Sequence, residues 1–230
     1  MPTYYKQETE PIFSTLERYR AELLEHPLLV AAKSGQLERS TLIELAYYQY
    51  ADSITWIPML AQMKERALKS RRLRKAIEDN IAHEAGIGST SHVTLAAGLM
   101  RSMGVRSLDG LPTDGILRTA SLWLSDAFSE MTEPALAGWL LVAETLVPAM
   151  FEVIATQYAG IADTTYFSEH IHVDGDEHAV WMRESVAEVI AIYGTTCIPE
   201  ILAGMADARD EAHDDPNALW ANRAVAEVTP

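Results

Sequence analysis

Hydrophobic residues recur at helical spacing along almost the whole chain, and this periodicity is the strongest constraint on the fold. Residues 10–26 show the pattern, with apolar side chains at Ile12, Leu16 and Tyr19. Recurrence every three or four residues places such side chains on one face of an amphipathic helix. No stretch of five or six residues alternates convincingly between polar and apolar, so we expect essentially no β-sheet. The sequence predicts an all-α protein, formed as one domain over residues 1–230 with seven to eight helices.

Breaks in this pattern divide the chain into helical segments. Pro58 lies inside the second segment and is expected to kink it, because proline removes a backbone hydrogen bond. Stretches containing Gly, Pro and Asp separate the other segments, and the loop 104–114 is the one long connection. The predicted helices span about residues 10–26, 40–67, 70–84, 89–103, 114–130, 133–158, 163–194 and 197–213.

Composition excludes several classes of protein. The chain has 230 residues, of which 48% are hydrophobic, and its single cysteine, Cys197, rules out an internal disulfide framework. A net charge of -15 repels nucleic acid and anionic lipid, so we expect neither as a partner. The first residues do not resemble a signal peptide, and the longest apolar runs fall short of the ~20 residues that span a bilayer. We expect a cytoplasmic protein with no membrane partner.

The segment from Tyr166 to His178 carries the clearest chemical signal, because it is rich in histidines and carboxylates. His170, Asp174 and His178 are spaced four residues apart, so on a helix they project to one side over successive turns. His172 falls roughly opposite His170 and is expected to face away. Imidazole and carboxylate groups on one helix face are typical of metal sites in helical bundles.

Two further segments supply more donors. Glu84 and His92 have the same eight-residue separation as His170 and His178, although intervening glycines weaken the case for a continuous helix. Glu144 lies in an apolar stretch, where a carboxylate needs a partner because burying it unpaired is costly. Six donors exceed what one metal with an open position needs, and they suit two ions of Fe(II), Mn(II) or Zn(II). The predicted metal ligands are Glu84, His92, Glu144, His170, Asp174 and His178.

Each segment also has a purely structural explanation. An acidic, histidine-rich segment such as 169–178 is often solvated surface. Glu84 could instead pair with the neighbouring basic helix, and His92 could be a hydrogen-bonded core histidine. Glu144 is the hardest to explain in this way, because its neighbours are apolar on all sides.

Taken in order, these segments resemble the heme-oxygenase-like superfamily, specifically its non-heme diiron oxidase and oxygenase branch. Glu84 with His92, Glu144 in a later apolar helix, and the His-Asp-His helix look like the metal-binding motifs of that branch. Three residues separate Asp174 from His178, a spacing that resembles a variant of the family and that a local helix bulge could accommodate. The other similar segments are Tyr47–Tyr50, Ile57–Leu60, Val147–Phe151 and Tyr166–Phe167.

The resemblance implies a helical bundle with a cofactor of two Fe(II) ions and O₂ as cosubstrate. It also implies oxidation of amino acids, derived amines or fatty acids by N-oxygenation, desaturation, C–C cleavage or nitrile formation. We expect a small amino-acid-derived substrate in a biosynthetic pathway, with an external reductant as a further partner. By analogy, Glu84, His92 and His178 bind one iron. His170 and Asp174 bind the other, and Glu144 bridges the two.

An aromatic-rich pocket beside the metals is expected to hold the substrate, although aromatic residues at helical spacing are more often plain core. A substrate carboxylate would need an inward-facing Lys or Arg, for which Lys33, Lys64 and Arg118 are the candidates. The predicted substrate-binding residues are Tyr47, Tyr50, Trp56 and Met150.

Other functions remain open within and outside this superfamily. A heme oxygenase would use a proximal histidine near the first helix, where His26 lies, and a thiaminase-like hydrolase would need a nucleophilic cysteine such as Cys197. A cofactorless oxidase would need no metal, and each of these alternatives leaves the six donors unexplained. A non-catalytic helical metal-binding protein is the alternative outside enzymes. We expect a homodimer, the commonest symmetric assembly.

Overall fold

The computed structural model describes the backbone of residues 3–107, 130–173 and 177–226, and the side chains of 8–107, 130–173 and 177–212. Every regular element in these ranges is helical, so the all-α prediction is confirmed. They contain nine α-helices and a 3₁₀ turn at Thr195–Cys197. The helices are α1 (Thr3–Leu24), α2 (Pro27–Lys33), α3 (Arg39–Arg66), α4 (Arg71–Glu84), α5 (His92–Ser102), α6 (Glu133–Tyr158), α7 (Thr165–Val173), α8 (Ala179–Tyr193) and α9 (Ile198–Ala226).

The number of helices in the described ranges exceeds the predicted seven to eight for two reasons. α2 is a separate helix, because the His26 side chain caps it and Pro27 occupies its first turn. The predicted helix 163–194 is described as two elements, α7 and α8, because residues 174–176 between them lie outside the described residues. The predicted helix 114–130 lies outside the described residues, except for its last position.

The apolar helix α6 lies at the centre of the bundle. It contacts α1, α2, α3, α7, α8 and α9. Thr132 caps its first turn, because the Thr132 side chain accepts a hydrogen bond from the Ala135 backbone N–H. By length and composition α6 is apolar enough to cross a membrane, but core helices share that property and most of α6 is buried inside the bundle.

Glycines allow α6 and α9 to pack with their backbones in contact. A Cβ atom at Gly138 would overlap the carbonyl oxygen of Ile201, and one at Gly204 would overlap the carbonyl oxygen of Ala135. Two helices approach this closely only where neither side chain keeps them apart. The contact holds α9 against the central helix.

The turn between α4 and α5 brings the residues at its two ends together. Glu84 is the last residue of α4 and His92 is the first of α5. Gly86 has a φ of 73°, and a Cβ there would overlap the backbone of Ser91, so the turn requires glycine. Ser91 then caps α5 by accepting a hydrogen bond from the Thr94 N–H. The eight-residue spacing is therefore bridged by a tight turn and not by a continuous helix.

Candidate metal centre

Glu84, His92 and His170 form a compact group of metal-type donors. One possible ligand atom from each lies within 4.8 Å of the other two. Nδ1 of His92 is 2.9 Å from Oε1 of Glu84, and the rings of His92 and His170 are 4.2 Å apart. All three side chains are buried, although they come from three helices. The group offers two imidazoles and one carboxylate to a single ion.

The protonation of His170 is fixed by its own helix and by burial. Its Nδ1 lies 2.9 Å from the carbonyl oxygen of Tyr166. Because a carbonyl only accepts, Nδ1 carries the proton and Nε2 keeps a lone pair for a metal. Burial, together with the nearby His92, lowers the pKa of His170 to about 3. The imidazole is therefore neutral near pH 7, which is the form that binds a metal.

Glu144 and His178 form the second half of the centre. Oε2 of Glu144 lies 2.9 Å from Nδ1 of His178, and Oε1 accepts a 2.5 Å hydrogen bond from the side-chain amide of Asn80. All three residues are buried. Both oxygens of the carboxylate are thus held, which fixes its orientation at the wall of the cavity that it lines.

His83 also belongs to this half, although the sequence did not single it out. Its Nδ1 lies 3.0 Å from Nε2 of His178, and the two rings stack with their centroids 5.2 Å apart. For Nδ1 of His178 to bind a metal beside Glu144, Nε2 must carry the proton and donate it to Nδ1 of His83. Trp181 packs against both imidazoles. The contact depends on the packing of α4 against α8, which local sequence does not reveal.

The structure divides the predicted ligands differently from the resemblance. Glu84 and His92 lie in one group with His170, whereas His178 contacts Glu144 and His83. Asp174 lies outside the described residues, and its role as a ligand stays a prediction.

Two features of the described residues on either side of Asp174 bear on this motif. The backbone forms a π-helical turn at Glu177 and His178, where the spacing predicts a bulge. His172 is exposed and lines a separate surface groove of about 560 Å³. That groove is bordered by the opposite side of α6 from the centre, so His172 does face away.

A cavity of about 150 Å³ lies beside both halves of the centre. Glu84 and His170 of the first group and Glu144 of the second all line it. Much of the remaining wall is aromatic or aliphatic, including Trp139 and Phe151. A small molecule in this cavity would lie against the donors and have most of its surface covered by protein.

The cavity includes two of the four residues predicted to bind the substrate. Trp56 and Met150 line it, whereas Tyr47 and Tyr50 do not. The cavity-lining residues of α3 are three or four positions apart and share one face of the helix, and positions 47 and 50 fall off that face. The cavity-lining residues of α3 are Leu45, Tyr48, Gln49, Asp52, Ser53 and Trp56.

Neither of the two lysines considered for binding a substrate carboxylate lines the cavity. Nζ of Lys33 donates to the carbonyl oxygen of Leu24, and Lys64 forms an ion pair with Glu78 at 3.9 Å. Arg118 lies outside the described residues. Among the described residues, no Lys or Arg lines the cavity.

The residues that support the other enzyme classes have structural roles. His26 is buried and uses its Nδ1 to cap α2, accepting from the Leu28 N–H. Cys197 is buried in the 3₁₀ turn, where burial raises the pKa of its thiol above the ordinary value. Neither lines the cavity, so neither is placed to act as a heme ligand or a nucleophile there.

The donor set fits a pair of metal ions. It combines neutral imidazoles with carboxylates and contains no sulfur, as Fe(II), Mn(II) and Zn(II) accept. Two ligands of one ion are at most about 4.2 Å apart when each bond is about 2.1 Å. The 4.8 Å limit on the group of Glu84, His92 and His170 is close to that distance, so small side-chain movements bring these atoms around one ion. Glu144 and His178 supply donors for a second ion.

Comparisons with known proteins give a family and a fold. A family model described as iron-containing redox enzyme matches residues 39–210. Two crystal structures of a CADD-like protein of unknown function from Nostoc punctiforme PCC 73102 superimpose with TM-scores of 0.66 and 0.71. The identities are 20% and 18%, over 94% and 97% of this chain and 98% and 99% of the other. The curated proteins contain no significant match.

Proposed function

We propose a function from one premise, that this chain belongs to the heme-oxygenase-like family of iron-containing redox enzymes. The protein is a non-heme diiron oxidase or oxygenase that uses O₂ to oxidise a small amino-acid-derived substrate. The reaction is N-oxygenation, desaturation, C–C cleavage or nitrile formation, within a biosynthetic pathway. The observation that supports this proposal best is the presence of both donor groups beside one small, largely apolar cavity.

The residues that would hold the metals are those of the two halves. Glu84, His92 and His170 would bind one iron, and Glu144 with His178 would bind the other, with Asp174 as a further predicted ligand. Two Fe(II) ions bound here would supply the electrons that O₂ activation requires.

The chain's own contribution is to orient these ligands. The Tyr166 carbonyl fixes the tautomer of His170, and Asn80 holds one oxygen of Glu144. His83 holds Nε2 of His178, so Nδ1 is the nitrogen that faces Glu144. Partners of this kind raise metal affinity by fixing ligand orientation before the metal binds.

The function needs a small-molecule substrate and an external reductant that restores Fe(II) after turnover. We propose a homodimer in the cytoplasm as the working form, with neither nucleic acid nor membrane as a partner. The alternative from another class is a non-catalytic metal-binding protein, and it is distinguished by the absence of turnover.

Oxygen consumption tests the proposal. The Fe(II)-loaded full-length protein is mixed with amino acids, amines and fatty acids in turn, and O₂ uptake is followed with an electrode and products by mass spectrometry. We expect at least one class to stimulate O₂ uptake and yield an oxidised product. Glu84→Gln should lower that rate by about 100-fold or more, because it removes a charged ligand.

Glu65→Gln is the matched control, since Glu65 is an exposed carboxylate on α3 that does not line the cavity. It should leave the rate unchanged. Iron-loaded protein that consumes no O₂ with any of the three classes would contradict the enzyme and favour the metal-binding alternative.

A further inference from the structure

We propose that the cavity recognises its substrate through an ammonium group, which Asp52 and Glu211 bind, and that the described part of its wall has no site for a substrate carboxylate. The inference narrows the substrate class and rests on the proposed function for the chemistry that follows binding. It selects small amines over fatty acids.

The inference rests on the charged residues in the cavity wall. Four carboxylates line the cavity: Asp52, Glu84, Glu144 and Glu211. Glu84 and Glu144 belong to the metal centre, whereas Asp52 on α3 and Glu211 on α9 are not members of the donor groups described above. No Lys or Arg of the described residues faces them across the cavity. A ligand carboxylate would meet groups of its own charge, and an ammonium would meet groups of opposite charge.

The uncharged groups of the wall fit the same ligand. Trp56 and Trp139 lie against each other with ring centroids 5.8 Å apart, and both line the cavity. Aromatic faces attract a cation electrostatically and also bury the apolar part of an amine. Each carboxylate has about four acceptor positions on its two oxygens, so it can take an ammonium N–H in addition to contacts it already makes.

The two acidic residues differ in exposure in a way that suits a route from solvent. Asp52 is exposed although it lines the cavity, so the cavity is open to water beside it. Glu211 is half-buried. The net charge of -15 raises the local concentration of small cations around the molecule and favours their entry.

The cavity volume limits the size of the amine. An apolar cavity of about 150 Å³ accommodates benzene, and this cavity has the same volume of about 150 Å³. The partly open mouth at Asp52 leaves room for a short polar end. A benzene-sized ring that bears one aminomethyl group therefore represents the class of amine that this cavity would hold.

Three probes of the same shape test the charge preference in the full-length protein. Benzylamine is a cation near pH 7, benzyl alcohol is neutral and benzoate is an anion. Calorimetry on protein prepared without iron is used, so that benzoate cannot bind through a metal. We expect benzylamine to bind about tenfold or more tightly than either analogue, as one charge-assisted hydrogen bond predicts.

Substitutions identify the residues responsible. Asp52→Asn and Glu211→Gln should each weaken benzylamine binding by about fivefold or more and leave benzyl alcohol binding unchanged. Glu65→Gln removes an exposed carboxylate outside the cavity and should leave all three affinities unchanged. Far-UV circular dichroism checks that each variant is folded. The comparison of the three probes on the unmodified protein tests the proposal even if a variant does not fold.

The proposal is overturned if benzoate or benzyl alcohol binds as tightly as benzylamine, if benzylamine does not bind at millimolar concentration, or if neither substitution weakens it. Its failure is separable from failure of the proposed function. Iron binding with O₂ uptake but no amine preference would remove only the ammonium site. Amine binding without iron uptake would remove the diiron function and keep that site.

Discussion

At the scale of single residues, the buried ionisable groups of this protein are held by specific partners. Glu144 contacts both His178 and Asn80, and Glu84 lies beside His92. Burying such groups costs free energy that hydrogen bonds only partly recover, and apolar residues of similar volume would stabilise the core as well or better. Their placement beside a cavity therefore points to a function in ligation.

Exchange of His178 tests the second half of the centre. His178→Ala removes a donor there, and the protein should lose one of its two irons because Glu84, His92 and His170 remain. Iron per chain is measured after desalting of anaerobically loaded protein. His172→Ala is the control, since that side chain is exposed and lines a different groove. Loss of iron in His172→Ala would show that the assigned helix face is wrong.

At the scale of helices, the cavity depends on how closely α9 approaches α6. The backbones touch at Gly138 and Gly204, and α9 contributes Ala208, Glu211 and Ala212 to the cavity wall. Because packed interiors leave little free volume, an added methyl group at this contact must move a whole helix.

Gly138→Ala should therefore destabilise the protein by about 1–3 kcal/mol, measured by urea denaturation. Gly98→Ala is the matched control, because Gly98 lies inside α5 with no other group within 4 Å of an added Cβ. It should raise the free energy of unfolding by about 0.5–1 kcal/mol, as alanine has the higher helix propensity. Equal effects of the two substitutions would contradict the close contact of α6 with α9.

Glu133 joins three helices at the other end of the bundle. Its carboxylate accepts hydrogen bonds from the Ser70 N–H before α4 and from the Tyr193 hydroxyl at the end of α8, each at 2.7 Å. Partial burial, and then the bond to Glu133, raise the pKa of Tyr193 to about 12. The folded state therefore keeps this proton at a pH where the unfolded chain releases it.

The free energy of unfolding includes a contribution from the Tyr193 hydroxyl, which keeps its proton in the folded state. That contribution is complete below the unfolded pKa of 10.0 and is lost as the pH rises towards about 12. The difference in unfolding free energy between the unmodified protein and Tyr193→Phe should be constant up to about pH 9 and shrink by about pH 11.5. Urea denaturation at several pH values measures it. A difference that stays constant over the whole range would show that the hydroxyl does not keep its proton through Glu133.

At the scale of the whole molecule, hydrophobic periodicity was sufficient for the fold class, because an all-α bundle requires only the period and its breaks. The same pattern missed α2, since a capping histidine is set by local geometry that periodicity does not encode. Glu144 was identifiable because its neighbours are apolar. The contact of His83 with His178 and the face of α3 that lines the cavity depend on tertiary packing, so the sequence could not supply them.

The central claim is that two donor groups beside one cavity hold two irons, and Mössbauer spectroscopy tests it most directly. The full-length protein is titrated anaerobically with isotopically enriched Fe(II), counted for iron, and measured before and after exposure to O₂. The account predicts two bound irons per chain, in two inequivalent ferrous sites that both become ferric on exposure to O₂. The claim would be contradicted by one iron per chain or by none. It would also be contradicted if O₂ left the iron ferrous even with amines, amino acids and fatty acids present.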